Sequence, residues 1–147
     1  DLLHKRFLTY FTMAYKIIDF QGIGPAYAEK LSAAGITTVD QLLEMGKTAK
    51  ARKSLEETTG INGSLILTWV NHADLFRVKG IGPQFAELLE AAGVDTVKEL
   101  GHRVAANLVA KMTEVNEEKH LTKVVPTVDQ VQKMIDLAKE LPAVVTY

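Results

Sequence analysis

Three observations predict an all-α fold. A block built round Gly-Ile-Gly-Pro occurs twice, 58 residues apart. Three Thr-x-x-Gln/Glu boxes mark helix starts, and the apolar residues between them recur at helical spacing before stopping at glycine or proline. The chain has 147 residues, of which 47% are hydrophobic and 24% charged, a globular composition too apolar for disorder. No apolar run approaches the roughly 18 residues of a membrane-spanning helix. The absence of cysteine excludes a disulfide scaffold, thiol catalysis and thiolate metal sites. A net charge of −1 argues against a generic polyanion binder but leaves room for a local basic patch.

The repeat aligns without a gap. Gly22-Ile23-Gly24-Pro25 matches Gly80-Ile81-Gly82-Pro83, Ala28-Glu29 matches Ala86-Glu87, and Leu31 matches Leu89. Ala33-Ala34-Gly35 matches Ala91-Ala92-Gly93, Thr38-Val39 matches Thr96-Val97, and Leu42 matches Leu100. In each unit a helix is expected to start at the proline, whose missing N–H is no loss at the first helical position. Tyr27, Ala28, Leu31 and Ala34 form its apolar stripe, and Gly35 is a left-handed stop. Thr38 caps the next helix, with Gln41 completing the box. Thr96 with Glu99, and Thr127 with Gln130, repeat the device.

Further helices are predicted over 49–59, stopping at Gly60, and from a cap at Ser64 to about Arg77. Two more are expected over 103–119 and 128–141. The tail Val144-Val145-Thr146-Tyr147 reads as extended, and Phe7 to Ile18 as helix or strand. The repeat logic begins only near Ile17, so residues 1–15 read as an N-terminal extension, and the stretch upstream of Met13 stands outside the repeat. Lys5-Arg6 precede an apolar stretch, as in a leader. Thr9, Tyr10 and Thr12 interrupt that stretch and no A-x-A site follows, so the expected compartment is the cytoplasm. The first unit then covers 16–78 and the second 79–147.

On its paired glycine turns, each followed by proline, alanine and leucine at fixed places, the chain resembles the helix-hairpin-helix family. With Ala73-Asp74-Leu75 ahead of the second turn and Val144-Val145-Thr146-Tyr147 at the end, it is similar to an uncharacterised bacterial domain family with two such units. The resemblance spans roughly residues 15–147. It implies sequence-independent DNA binding, with backbone N–H groups of the glycine turn holding a phosphate. Gly22, Gly24, Gly80 and Gly82 are the candidate phosphate contacts, helped by Lys79 and Arg77. The chain departs from that pattern where it matters. Ala26-Tyr27 and Gln84-Phe85 stand where DNA-binding members commonly carry Lys or Arg. The turns can equally be sharp connections that let two helices pack, with Gly24 and Gly82 at positions where a side chain clashes or φ is unfavourable.

Lys47-Thr48-Ala49-Lys50-Ala51-Arg52-Lys53 holds four basic residues in seven. It can grip a phosphate backbone, chiefly through Lys47, Lys50 and Lys53, although a solvated helix face explains it more simply. On a helix Lys50 and Lys53 share a face while Arg52 is rotated away. His4, His72, His102 and His120 are isolated from one another, so no metal and no cofactor are expected. Glu56-Glu57 and Glu117-Glu118 diverge on a helix and do not converge on a substrate. The turns lack the Gly-Lys-Ser/Thr of a phosphate loop. Phe20, Tyr27, Trp69, Phe76 and Phe85 could stack on bases, but their helical spacing among Leu and Val favours a core.

The expected function is therefore binding without catalysis, and no small-molecule substrate is indicated. A protein-interaction or self-assembly module is the leading reading, because the charge is near neutral, the turns are weakly basic, and both ends are apolar and strand-like. The ends would pair with each other or add to a second copy or another protein through Phe7, Leu8, Tyr10, Phe11, Val144, Val145 and Tyr147. Weak DNA-backbone binding is the alternative. Deleting residues 1–12 is expected to lower the assembled mass measured by light scattering while circular dichroism retains the helical signal. An unchanged mass would remove the N-terminal segment from the assembly.

Overall fold

Local signals place the helices. The computed structural model describes residues 16–20 and 22–147. After a 3-10 turn at Ile17–Asp19, eight α-helices follow: α1 Pro25–Ala33, α2 Val39–Gly46, α3 Ala49–Thr59, α4 Gly63–Leu75, α5 Pro83–Ala91, α6 Val97–Gly101, α7 Ala105–Lys119 and α8 Val128–Glu140. The fold is all-α. The only β-type pairing among the described residues is an isolated bridge between Lys16 and Thr38.

Both repeat units begin and end by the same chemistry. Proline occupies the first turn of α1 and of α5. At the other end, Gly35 donates to the Ser32 carbonyl while Ile36 donates to the Leu31 carbonyl at 2.9 Å. Gly93 and Val94 make the same pair of bonds to Glu90 and Leu89, the double closure of a helix ended by a left-handed glycine. Ile36 and Val94, just beyond the glycines, are fully buried. Thr38 with Gln41 and Thr127 with Gln130 form reciprocal capping boxes. At α6 only half the box forms: Thr96 accepts from the Glu99 N–H, and the Glu99 carboxylate lies 3.6 Å from Arg103.

One helix start differs from expectation. Asn62, and not Ser64, caps α4: its carboxamide oxygen accepts from both the N–H and the hydroxyl of Ser64. α7 stops at His120, which takes a left-handed φ of +52° without being glycine. Asn116 holds that bend from both sides, donating to the Thr122 carbonyl and accepting from the Thr122 N–H, each at 2.9 Å.

The duplication extends beyond the sequence identities. α2 packs on α4 as α6 packs on α8, α3 on α4 as α7 on α8, and α1 on α3 as α5 on α7. The core-facing residues Ile66, Val70 and Ala73 of α4 have counterparts 65 positions on in Val131, Ile135 and Ala138 of α8, all buried. One cluster of buried apolar side chains runs through both units. α4 lies between them, touching α5 and α6 as well as its own unit, and from Trp69 to Val78 every residue is buried.

Ile23 and Ile81, between the paired glycines, are 4% and 2% exposed and plug the core from the turns. Burying such a side chain contributes about 1.5–3 kcal/mol. The strained glycine is the first of each pair: Gly22 has φ +84° and Gly80 φ +97°. Gly24, at φ −80°, has open space where a Cβ would stand, and Gly82 lies at φ −108°. The expectation that the second glycine is conformationally required is thus corrected to the first. Gly22→Val and Gly80→Val should each lower stability by more than about 1 kcal/mol. Gly24→Ala should stay within about 0.5 kcal/mol. Urea unfolding of the three variants checks this, and equal losses in all three would contradict the assignment.

Candidate functional site

The two glycine turns share a backbone path but differ in surroundings. Neither α1 nor α5 has a side chain capping its first N–H groups, so both turns end in an uncapped, electropositive helix start. Gly22, Gly24 and Pro25 are exposed, and nothing comes within 4 Å of a Cβ built on either glycine. At the second turn Gly82 and Pro83 are half-buried, and Met134 Cε of α8 lies 3.0 Å from a Cβ built on Gly80.

The expected cations scatter. Arg77 is buried: it donates to Asp74 at 2.6 Å and to the Pro142 carbonyl at 3.0 Å, so it serves the interior and is not available to a phosphate. Arg52 is buried too, donating to the Gly46 and Thr146 carbonyls. Lys47 pairs with Glu44 at 2.9 Å. That leaves Lys50 and Lys53 exposed on α3 and Lys79 exposed beside the second turn, none with an ion-pair partner among the described residues.

The apolar tail turns inward. Val145 is 8% exposed and belongs to the core, Val144 is half-buried, and Thr146 N–H donates to the Lys47 carbonyl at 2.8 Å. Tyr147 donates its hydroxyl to Asn71, and the Arg52 guanidinium lies 5.8 Å from the centre of its ring. Tyr147 is 71% exposed overall, and partial desolvation of its hydroxyl, with the negative charges of Asp74 and Asp95, raises that phenol above its ordinary range. The assembly role expected of Val145 is therefore corrected: its side chain is buried within its own chain. Phe7, Leu8, Tyr10 and Phe11 lie outside the described residues.

Phe20, Trp69 and Phe76 go to the core, as their spacing indicated, while Tyr27 and Phe85 are half-buried against it. Trp69 meets Tyr27 edge-on with ring centres 5.2 Å apart, and Phe20 packs on Phe76 and stacks on His72. His72 is buried and its Nε2 pairs with Glu90 of α5. No cluster of metal-ligating side chains occurs among the described residues. No helix among them is long and apolar enough to cross a membrane.

A surface absent from the sequence reading lies beside the second turn. The 121–126 segment and α5 border two adjoining open hollows of about 570 and 560 Å³ that share Phe85 and Val124, the second also bordered by α8. Pro126, Met134 and Leu137 extend the apolar floor, with Lys79, Lys123 and Lys133 at the edge. Val124 is 77% exposed. The available signal was the pair Val124-Val125, apolar residues in a connection between Lys123 and Pro126. A separate cleft of about 600 Å³ lies under the tail, between α6 and α8, and reaches Asp74.

Burial pushes the Asp74 carboxyl up from its ordinary value of 3.8, against the opposing hydrogen bond and charge of Arg77. The folded protein then holds more protons than the unfolded chain between that value and the raised one. Stability from this group is full below the window and falls as pH rises through it. Asp74→Ala should cost at least about 1 kcal/mol at neutral pH, because Arg77 loses its partner. The gap between wild-type and variant stability should be wider below the window than above it, as read from urea unfolding across pH. A gap independent of pH would remove the burial effect.

The family model for a domain of unknown function, DUF4332, matches residues 21–141. No curated protein and no solved structure matches the chain. By a match that takes in both glycine turns and all eight helices, the chain belongs to the DUF4332 family.

Proposed function

We propose that this chain is a non-catalytic protein-interaction module built on tandem helix-hairpin-helix units, and that the groove beside the second turn is its contact surface. The observation that carries this reading is the divergence of the two turns. A duplicated phosphate binder needs both turns open with cations beside them. Here the second turn lies under Met134, and its arginine is buried against Asp74. What the second turn borders instead is an apolar floor with exposed Val124. Contiguous exposed apolar surface rimmed by polar residues is the mark of a protein contact. Self-assembly through the same face is the homo-oligomeric form of this reading. The buried titratable groups support a structural use over a catalytic one, since Asp74 is held by Arg77 and His72 by Glu90.

Weak DNA-backbone binding is favoured by one feature, the open first turn with Lys50 and Lys53 on the same unit. A single turn without an adjacent cation neutralises few phosphates, and affinity for DNA follows the number neutralised. Salt-titrated anisotropy with labelled duplex DNA is expected to give a dissociation constant of about 10⁻⁴ to 10⁻⁶ M or weaker at physiological salt. A salt-resistant nanomolar complex would overturn the protein-interaction reading.

A further inference from the structure

We propose that the groove beside the second turn receives an acidic amphipathic helix of a partner protein, anchored by an aromatic side chain. This rests on the protein-interaction reading above and adds the chemistry of the partner.

The anchor follows from the repeat. Tyr27 and Phe85 are equivalent across the 58-residue repeat, and the matched faces of α4 and α8 make Trp69 equivalent to Met134. In the first unit Trp69 fills the space beside Tyr27, ring against ring, and is 3% exposed. In the second unit the smaller, more flexible Met134 stands there, and a cavity of about 560 Å³ opens between it and Phe85. The scaffold thus leaves empty, on its surface, a place that its own twin fills with an indole. Methionine and phenylalanine make an adaptable apolar seat for such a ring.

The charge follows from the rim. Lys79 comes from the turn, Lys123 from the 121–126 segment and Lys133 from α8. All three are exposed, and none has an ion-pair partner among the described residues. Lys50 and Lys53 on α3 are unpaired as well, but among the described residues no apolar cavity lies beside them, whereas Lys47, Arg103 and Lys111 each stand beside a carboxylate. The cavity at Met134 has no acidic residue in its lining, and the adjoining one has only Asp19. In a chain with 18 acidic and 17 basic residues, this is a local excess of positive charge round an apolar floor. Carboxylates on the partner complement it.

The helix follows from the walls. Beyond the uncapped first turn of α5, the two helical walls have their backbone groups bonded internally, and no strand borders the groove among the described residues, so recognition falls chiefly to side chains. An amphipathic helix presents apolar anchors at i, i+3/i+4 and i+7 with carboxylates beside them. A nucleic acid would meet the lysines but gain nothing from the valine, methionine and phenylalanine beneath.

The test uses the full chain, labelled with ¹⁵N, and two synthetic helical peptides of equal length. Both carry Trp and Leu on one face; the other face is Glu in one and Lys in the other. The Glu peptide is expected to shift the amides of Lys79, Phe85, Val124 and Met134. Lys79→Glu/Lys133→Glu should weaken it at least about fivefold, in line with exposed ion pairs. Met134→Trp, which copies the first unit, should weaken it at least about tenfold without lowering the melting temperature, and the free variant's spectrum reports whether it folds. Equal binding of the Lys peptide at these amides would overturn the acidic partner while leaving the groove as a docking surface. Unweakened binding to Met134→Trp would overturn the aromatic anchor. No shift with either peptide at millimolar concentration would overturn the docking surface as well. Stronger shifts of the same amides by duplex DNA would reassign the face to a polyanion.

Discussion

A helix buried on all sides must find a partner for every polar group it carries, because an unpaired one costs more than a lost contact. α4 and the turn that follows it impose this on the whole protein. Asn71, His72, Asp74 and Arg77 are all less than a tenth exposed. Each is satisfied: Asn71 by Tyr147 of the tail, His72 by Glu90 of α5, and Arg77 by the Pro142 carbonyl beyond α8 and by Asp74, which it holds in turn. Three of these bonds leave α4 and its turn, and they fix where α5 and the segment after α8 stand relative to that helix. Hydrophobic burial closes the protein round this helix, and the polar pairs select one arrangement of the closure.

The repeat was legible because its signals are local. Proline at a first turn, threonine at a cap and glycine at a left-handed stop act within a few residues, and all reappear where the sequence placed them. What was not legible depends on distant partners. The order Lys-x-x-Lys-x-Arg-Lys does not reveal that Arg52 turns inward to carbonyls of Gly46 and Thr146. Arg77 looked like a companion of Lys79 because they are neighbours in sequence, yet the chain separates them into interior and surface. The end of α7 at 119 was legible but its cause was not, since the bend at His120 is held by the side chain of Asn116 and not by a glycine.

Duplication also explains why one unit cannot do what the other does. α4 and α8 are equivalent, but α4 is covered by the second unit and α8 by none among the described residues. Accordingly α8 carries Gln132, Lys133, Asp136 and Lys139 exposed, the polar outer face of a terminal repeat. The apolar exception on that helix is confined to its start and to the groove at Met134. The candidate site was hidden from sequence reasoning for this reason: it arises from a difference between copies, where self-comparison looks for identity.

The docking of the tail has a kinetic side. Helix pairs within each unit join residues close in sequence, and contacts of that kind form early and fast. The bond from Arg52 to Thr146 spans 94 positions, and that from Tyr147 to Asn71 spans 76. The entropy of loop closure is expected to place such long contacts late in folding, after the helices have assembled. Contacts made after the transition state leave the folding rate almost untouched and govern how fast the native state comes apart. On that expectation the two inward arginines that hold the tail, Arg52 and Arg77, slow unfolding while doing little to hasten folding.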